Sequence, residues 1–411
     1  MRSIEALILG AGQAGLAMSR CLSDRGISHV VIERGEIANS WRHERWDSLR
    51  LLTPNWQSRL PGHCYDGPDP DGYMSMPQVI RYLDNYARIS RAPVEERTRV
   101  IRVTRIGSGY CVETDRGTWL CRSLVLATGA ASLATIPDCA AGLPDSIAQL
   151  TPLTYRNPDQ LTPGGVLVVG ASASGVQLAS EIRAAGHEVT LATGEHIRMP
   201  RTYRGRDIQW WMDRAGIQDM PLSQVDDIAR ARRVPSLQLV GAAHPRFVDL
   251  NALQDSGIEI VGRLTTIRDG QAIFSGALAN MCALSDLKMN RLLQAIDDWA
   301  EDRAAAPFDA PERFAPTRVP DTPRLSHDLM HGRFRTVIWA TGVRPDHSWL
   351  DLPVFDHRGR LKHDGGIVAP NLYVLGLPFL RRRNSALLDG VGADARFIAD
   401  HIVEMRGRQA A

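Results

Sequence analysis

The chain has 411 residues, 44% hydrophobic and 23% charged, with a formal net charge of +2. That is an ordinary globular composition, too long for one small core, so two or three domains are expected, with no excess charge to attract nucleic acid or an anionic membrane. No apolar run approaches the roughly 20 residues of a membrane span, and the six scattered cysteines form no C-x-x-C, so neither a dithiol centre nor a metal site is expected. The apolar run after Arg2 is interrupted by Glu5 and does not read as a signal peptide, so a cytoplasmic location is expected.

At the front, Leu7-Ile8-Leu9 runs into Gly10-Ala11-Gly12-Gln13-Ala14-Gly15, a helical segment follows from Leu16 to Arg25, and Val30-Val31-Ile32 ends in Glu33. In a strand–turn–helix unit Gly10 makes the tight turn, Gly12 admits a pyrophosphate to the backbone and Gly15 lets helix and strand pack closely. The free N–H groups of the helix start suit phosphates, and Glu33 stands where a carboxylate accepts hydrogen bonds from a ribose.

From Asn39 to Trp56 the pattern is irregular. Trp41, Trp46, Trp56 and Pro54 fit either a surface loop with tucked aromatics or the wall of a ring-shaped cofactor, with Thr53 and Asn55 hydrogen-bonding to it; both readings stay open. A helix is expected over Pro77–Ala87 with Val79, Leu83 and Tyr86 on one face. Strands are expected over Val100–Val112 and Thr118–Leu126, the second ending in Ala127-Thr128-Gly129, where the backbone is free to contact a cofactor. Ile136-Pro137 and Pro144 read as a linker.

The glycine signature then repeats as Val166-Leu167-Val168-Val169-Gly170-Ala171-Ser172-Ala173-Ser174-Gly175, with a helix through Ala185 and a strand Val189–Leu191. Glu33 lies 18 residues after Gly15, but the residue 18 after Gly175 is Thr193, and Arg198, Arg201, Arg204 and Arg206 follow. A carboxylate would repel a ribose 2′-phosphate and arginines would pair with it, so the second unit is expected to take NADPH and the first a tightly held FAD; a solvated basic loop is the alternative for the arginines.

Asp207–Met212 reads as an amphipathic helical piece of a lid-like region near 203–250, with Trp210 and Trp211 open to core or substrate roles. Strands are expected at Ile258–Val261 and Ala272–Phe274, and a helix over Leu284–Asp302 with Leu287, Leu292, Ile296 and Trp299 as its apolar stripe, packed on the second unit. Pro307–Pro323 reads as connection. Thr336–Trp339 repeats the strand end Ala340-Thr341-Gly342, and Asn371–Leu375 ends in Gly376. Arg381-Arg382-Arg383 follows, either a solvated basic loop or a face toward a phosphate or an acidic substrate, and then Gly390 opens a final helix through Val403, whose positive end suits an anionic flavin ring.

Taken together, GAGQAG, Glu33-Arg34, Ser40-Trp41, Leu51–Trp56, both Ala-Thr-Gly strand ends, GASASG and the final glycine-led helix resemble the class B flavin monooxygenases, which include the flavin-containing monooxygenases and the YUCCA enzymes. The resemblance implies an α/β fold with two Rossmann-like dinucleotide-binding domains of the glutathione-reductase type: a discontinuous FAD domain (1–150 and 325–411) with an NADPH domain (151–324) inserted. It implies that NADPH reduces the flavin, that O2 adds to give a C4a-(hydro)peroxyflavin, and that one oxygen atom passes to a small organic substrate.

Cofactor contacts are expected from Gly10, Gly12, Gln13, Ala14, Gly15, Glu33, Arg34, Trp41, Arg42, Thr128, Gly129, Gly170, Ser172, Ser174, Gly175, Thr193, Arg198, Arg201, Thr341, Gly342, Gly376 and Gly390, with Thr53 and Asn55 in the catalytic position. One departure stands out. The family's F-x-G-x-x-x-H-x-x-x-Y/W fingerprint ends here at Tyr155, with Thr151, Ile147 and Asp145 in place of its histidine, glycine and phenylalanine. An NAD(P)H-dependent reductase or oxidase without oxygenation, and a non-catalytic FAD/NADPH redox sensor, therefore remain as alternatives. A homo-oligomer is left open.

Overall fold

A computed structural model describes residues 1–243, 246–302 and 308–410, so Pro307 of the expected proline-rich connection lies outside the described residues. The apolar runs become two largely parallel sheets. In the first, Leu372–Val374, Gly117–Leu126, Arg2–Leu9, His29–Ile32 and Val94–Glu95 lie side by side in that order, with Ile367–Ala369 antiparallel at one edge. In the second, Ala148–Leu150, Phe334–Trp339, Gly165–Val169, Val189–Ala192 and Glu259–Val261 follow the same plan, all parallel. Strands covered on both faces need apolar residues on both, which is why these stretches read as unbroken hydrophobic runs.

The register sets the position of everything functional. Leu9 pairs with Ile32 and Leu126, and Leu126 with Val374, so the carboxyl ends of four strands are level. Val169 likewise pairs with Ala192 and Trp339, and Ala192 with Val261. The residues just past those ends form two crevices, where open α/β sheets bind ligands.

Each sheet takes its outermost parallel strand from the far side of the chain. Ala148–Leu150 hydrogen-bonds to Phe334–Trp339, and Gln149 accepts a 2.9 Å hydrogen bond from Trp339 Nε1. This corrects the expected domain limits: 148–150 and 334–339 belong to the second sheet. The crossing connections meet where Leu133–Ala134 pairs antiparallel with Val343–Arg344. An Ala-Thr-Gly strand end reads alike in either unit, so local pattern alone did not reveal which sheet it joins.

Other elements follow their local chemistry. Helix Met76–Ile89 starts at a Ser75/Gln78 capping box with Pro77 in its first turn, and buries Val79, Leu83 and Tyr86. The single strand expected at 100–112 is two, Val100–Ile106 and Gly109–Thr114, because Gly107-Ser108 turns the chain back. Helix Leu278–Glu301 buries Cys282, Ser285, Met289, Leu293 and Ile296, whereas Leu287, expected on its apolar stripe, is 45% exposed. Met289, Leu293 and Ile296 pack with Met199, Tyr203, Ile208 and Trp211 in a satellite core, so the region expected to be lid-like is anchored and Trp211 has a core role. Helix Val391–Ala410 packs against helix Gln13–Ser23 in the main core. Among the described residues, no helix is long and apolar enough to cross a membrane.

Candidate functional site

At the first turn Gly10 takes φ +105°, and a Cβ there would lie 2.5 Å from the Ala127 carbonyl oxygen. A Cβ on Gly15 would lie 1.8 Å from the Gly10 oxygen. A Cβ on Gly12 would meet nothing within 4 Å, so the turn is open on the side facing the crevice. Helix Gln13–Ser23 has no side-chain cap and no acid in its first turn, leaving its amino end free to bind an anion. The turn opens into a cavity of about 760 Å3 that Gly10, Gly12, Gln13, Ala14, Glu33, Arg34, Trp41, Thr128, Gly129 and Gly376 all line. Sequence spacing and the level strand ends thus bring ten expected residues to one place.

Within this cavity, Glu33 Oε2 accepts from the Ala11 backbone N–H at 2.8 Å and Oε1 from that of Gly35 at 3.0 Å. Each carboxylate oxygen retains acceptor capacity for a hydroxyl. Trp41 Nε1 donates to Gln13 Oε1 at 3.2 Å, joining helix and wall. The buried Thr128 hydroxyl has no hydrogen-bond partner. A buried polar group without a partner is costly unless a ligand completes it.

The sequence reading missed Arg45 and Trp349 in the same lining. Arg45 stacks 5.4 Å from the Trp41 ring centre, and burial pulls its guanidinium below the usual value. Trp349 comes from a connection far along the chain, and no spacing links it to the glycine turn.

The second turn repeats the first. Gly170 takes φ +108°, a Cβ on it would lie 2.3 Å from the Ala340 oxygen, and one on Gly175 would lie 1.8 Å from the Gly170 oxygen. Ser172 precedes helix Ala173–Ala184 at φ −77° and ψ −174°, against −82° and −172° for Gly12, and this helix too has no side-chain cap. Ser174 lies in its first turn. Thr193 is fully buried with its hydroxyl unpartnered, and Thr341 is bonded through its hydroxyl to the Thr135 carbonyl. The segment after Val234 lies against this turn: Gln238 Nε2 donates to the Ala171 oxygen at 2.7 Å, and Gln177 Nε2 to the Leu239 oxygen at 2.8 Å.

Several expected contacts are corrected. Arg198 and Arg201 have side chains only 3% and 1% exposed. Arg198 pairs with Asp249 at 2.6 Å and Asp286 at 2.8 Å; Arg201 pairs with Asp207 at 2.6 Å and donates to the Leu52 oxygen at 2.8 Å. Both are structural ion pairs with no free fork for a phosphate. Arg204 is likewise committed to Asp297. Arg42 turns away to Asp84 at 2.7 Å. Asn55 is buried, its Nδ2 donating to the Asp69 oxygen and its Oδ1 accepting from the Met74 N–H, so it ties down its own loop; Thr53 does not line this cavity. A Cβ on Gly390 would lie 2.2 Å from the Asn384 oxygen, so this glycine serves packing, and the final helix carries the buried Asp394 in its first turn.

The group that stands beyond the second turn is Arg263. It follows strand Glu259–Val261, is exposed, and its Nε lies 3.9 Å from a Cβ built on Gly194, just past the end of Val189–Ala192. Only the pairing of these two strands makes the residues neighbours, so no motif spacing would have found it.

Residues 7–212 match the family described as pyridine nucleotide-disulphide oxidoreductase. The chain is 31% identical over 404 residues to an "Uncharacterized oxidoreductase CzcO-like" of Geobacillus kaustophilus, covering 97% of this chain and 98% of that protein. It is 28% identical to the indole-3-pyruvate monooxygenase YUCCA6 of Arabidopsis thaliana over 64% of this chain and 67% of that one. A flavin-containing monooxygenase from Stenotrophomonas maltophilia shares the fold, with a TM-score of 0.64 at 22% identity, over 98% of this chain and 99% of that one.

Proposed function

The chain belongs to the pyridine nucleotide-disulphide oxidoreductase family, in its class B flavin monooxygenase branch, and from that premise we propose that this flavin-dependent oxidoreductase is an FAD- and NADPH-dependent monooxygenase of small organic molecules. The observation that carries the reading is the pair of matched glycine turns in one chain, each at the level carboxyl ends of a parallel sheet. Two dinucleotide cradles in one polypeptide suit one resident redox cofactor and one that arrives to reduce it.

The residues present fit these groups. For FAD, the open face at Gly12, the uncapped helix Gln13–Ser23, the Glu33 carboxylate and the unpartnered Thr128 hydroxyl supply a pyrophosphate path, an anion site, a ribose acceptor and a free hydrogen-bonding group. For NADPH, the helix start after Ser172 receives the pyrophosphate, and the orphan Thr193 hydroxyl sits where the ribose is expected. Arg263 replaces Arg198 and Arg201 as the partner of the 2′-phosphate. On this reading the nucleotide-binding units comprise the two sheets as observed, with the chain crossing between them at 133–134 and 343–344.

When bound, FAD would supply hydride acceptance and O2 activation, and the overall reaction would take NADPH, a proton, O2 and substrate to NADP⁺, water and oxygenated product. The protein contributes placement and desolvation. Glu33 and the helix start fix the cofactor's nucleotide end; Gln13 and Trp41 form a wall joined by their own hydrogen bond; Arg45 puts a positive charge in the cavity without an ion pair among the described residues. Burial of these groups strengthens each polar contact they make.

A second reading, NAD(P)H oxidation without oxygen transfer, is favoured by one observation. Tyr155, the aromatic that survives from the fingerprint, is buried and donates to Glu181 at 3.1 Å, and the positions that precede it hold Thr151 and Ile147. The test is a balance of NADPH, O2 and product across amines, sulfides, ketones and 2-oxo acids. Oxygenated product in proportion to NADPH supports monooxygenation. Stoichiometric hydrogen peroxide with every class of compound supports the second reading, and a protein that binds FAD but is not reduced by NADPH defeats both.

A further inference from the structure

A second cavity, of about 750 Å3, lies beside the first. The two share walls. Ser236 lines the first cavity while Val234 and Leu237 line the second, and Arg383 of the second is three residues before Ala386 of the first. Its charge is one-sided: Arg230, Arg233, Arg291, Arg383 and Lys288 line it, and the one acid in its lining, Glu195, is already paired with Lys288 at 2.7 Å. Its depth is apolar. Ile197 and Met199 are buried at its base, and Met220, Leu237 and Leu292 are half-buried along it.

The arginine triplet explains which cation matters. Its three members diverge. Arg381 stacks 3.8 Å over the Phe397 ring, and Arg382 approaches Asp219 at 3.7 Å. Arg383 forms no ion pair among the described residues, and burial alone pulls its guanidinium below the usual value. A half-buried guanidinium without a counter-ion among the described residues, above an apolar floor, is complementary to a carboxylate carried on an apolar body, because the planar fork binds carboxylate in two-point fashion.

We infer that this cavity binds an amphipathic carboxylic acid, its carboxylate on Arg383 and its apolar body against Met199, Met220 and Leu237, as the organic substrate of the neighbouring flavin site. The assignment of the acid as substrate rests on the proposed monooxygenase reading; the assignment of the cavity as its binding site does not.

The experiment titrates the full-length holoprotein with 4-phenylbutyrate and, separately, with neutral 4-phenylbutanol, by calorimetry without NADPH. Wild-type protein should bind the acid at least about tenfold more tightly than the alcohol. Arg383→Met should remove that preference with flavin content and melting temperature unchanged. Val234→Asp, at an exposed rim position, should weaken the acid and spare the alcohol, and it serves as the check if the Arg383 variant does not fold. Equal binding of acid and alcohol by wild type, or a preference that survives both substitutions, would overturn the assignment. A second measurement separates the two proposals. Binding of the acid that depends on Arg383, with no acid accelerating NADPH oxidation, keeps the site and removes its role as substrate site. Oxygenation of neutral compounds by wild type, with no carboxylic acid oxygenated, keeps the monooxygenase and overturns the acid as its substrate.

Discussion

At the first glycine turn a Cβ on the helix glycine would strike the preceding glycine's oxygen at 1.8 Å, and at the second turn the same construction gives the same distance. The two turns share their positive φ, the extended residue before the helix and the Ala-Thr-Gly strand end beside them. They part at the next strand. The first unit ends it in Glu33, whose carboxylate is held by two backbone N–H groups; the second ends it in buried Thr193, with Arg263 supplied from the strand beyond. On the proposed reading, backbone geometry makes a dinucleotide cradle, and the side chains past the neighbouring strands choose the dinucleotide.

The sharpest way to break that comparison is to block each turn. Gly15→Val and Gly175→Val each force a side chain into backbone and should cost more than about 4 kcal/mol locally. Gly15→Val should give protein without flavin, and Gly175→Val protein that keeps its flavin but is not reduced by NADPH. Visible absorbance before and after NADPH distinguishes them, and flavin loss from both variants alike would erase the division of labour.

Next in size is Arg198→Ala, which leaves Asp249 buried without its partner and should cost roughly 3–5 kcal/mol, read as a large fall in melting temperature. Arg263→Ala should do the reverse. Melting should be unchanged, while KM for NADPH rises about tenfold and KM for NADH stays the same. An equal effect on both nucleotides would remove Arg263 from the 2′-phosphate site.

A smaller, pH-dependent effect sharpens the comparison at the second sheet's edge. Glu259 accepts from His327 Nε2 at 2.8 Å, and also from Thr190 and Arg324, and these hold its carboxyl down at about 2. Its contribution is fully present above the ordinary carboxyl value of 4.5 and is lost as pH falls through about 2. Wild type should therefore lose melting temperature more steeply than Glu259→Gln between those values, and exceed it by on the order of 2 kcal/mol at neutral pH. Leu287→Glu, on the exposed side of its helix, should change stability by less than about 0.5 kcal/mol. A larger loss would mean that this face is covered.

Short-range chemistry was legible in the sequence. Both strand–glycine–helix units, the acid closing the first and a helix over 77–87, observed as 76–89, follow from periodicity and spacing, because each depends on neighbours within one turn or one strand; the resemblance added other residues that line the first cavity. Tertiary structure alone decided the rest. Arg198, Arg201 and Asn55 carry the right groups for ligand work, yet carboxylates and loop backbone distant in sequence already satisfy them. Arg263 lies in a stretch with no motif, and Arg383 in a basic triplet whose members the sequence does not tell apart; strand pairing and loop packing place each at a crevice. The place of 148–150 and 334–339 in the second sheet was invisible for the same reason. A sequence fixes what a side chain offers; which partner answers it is settled by distance in space, after the sheets have formed.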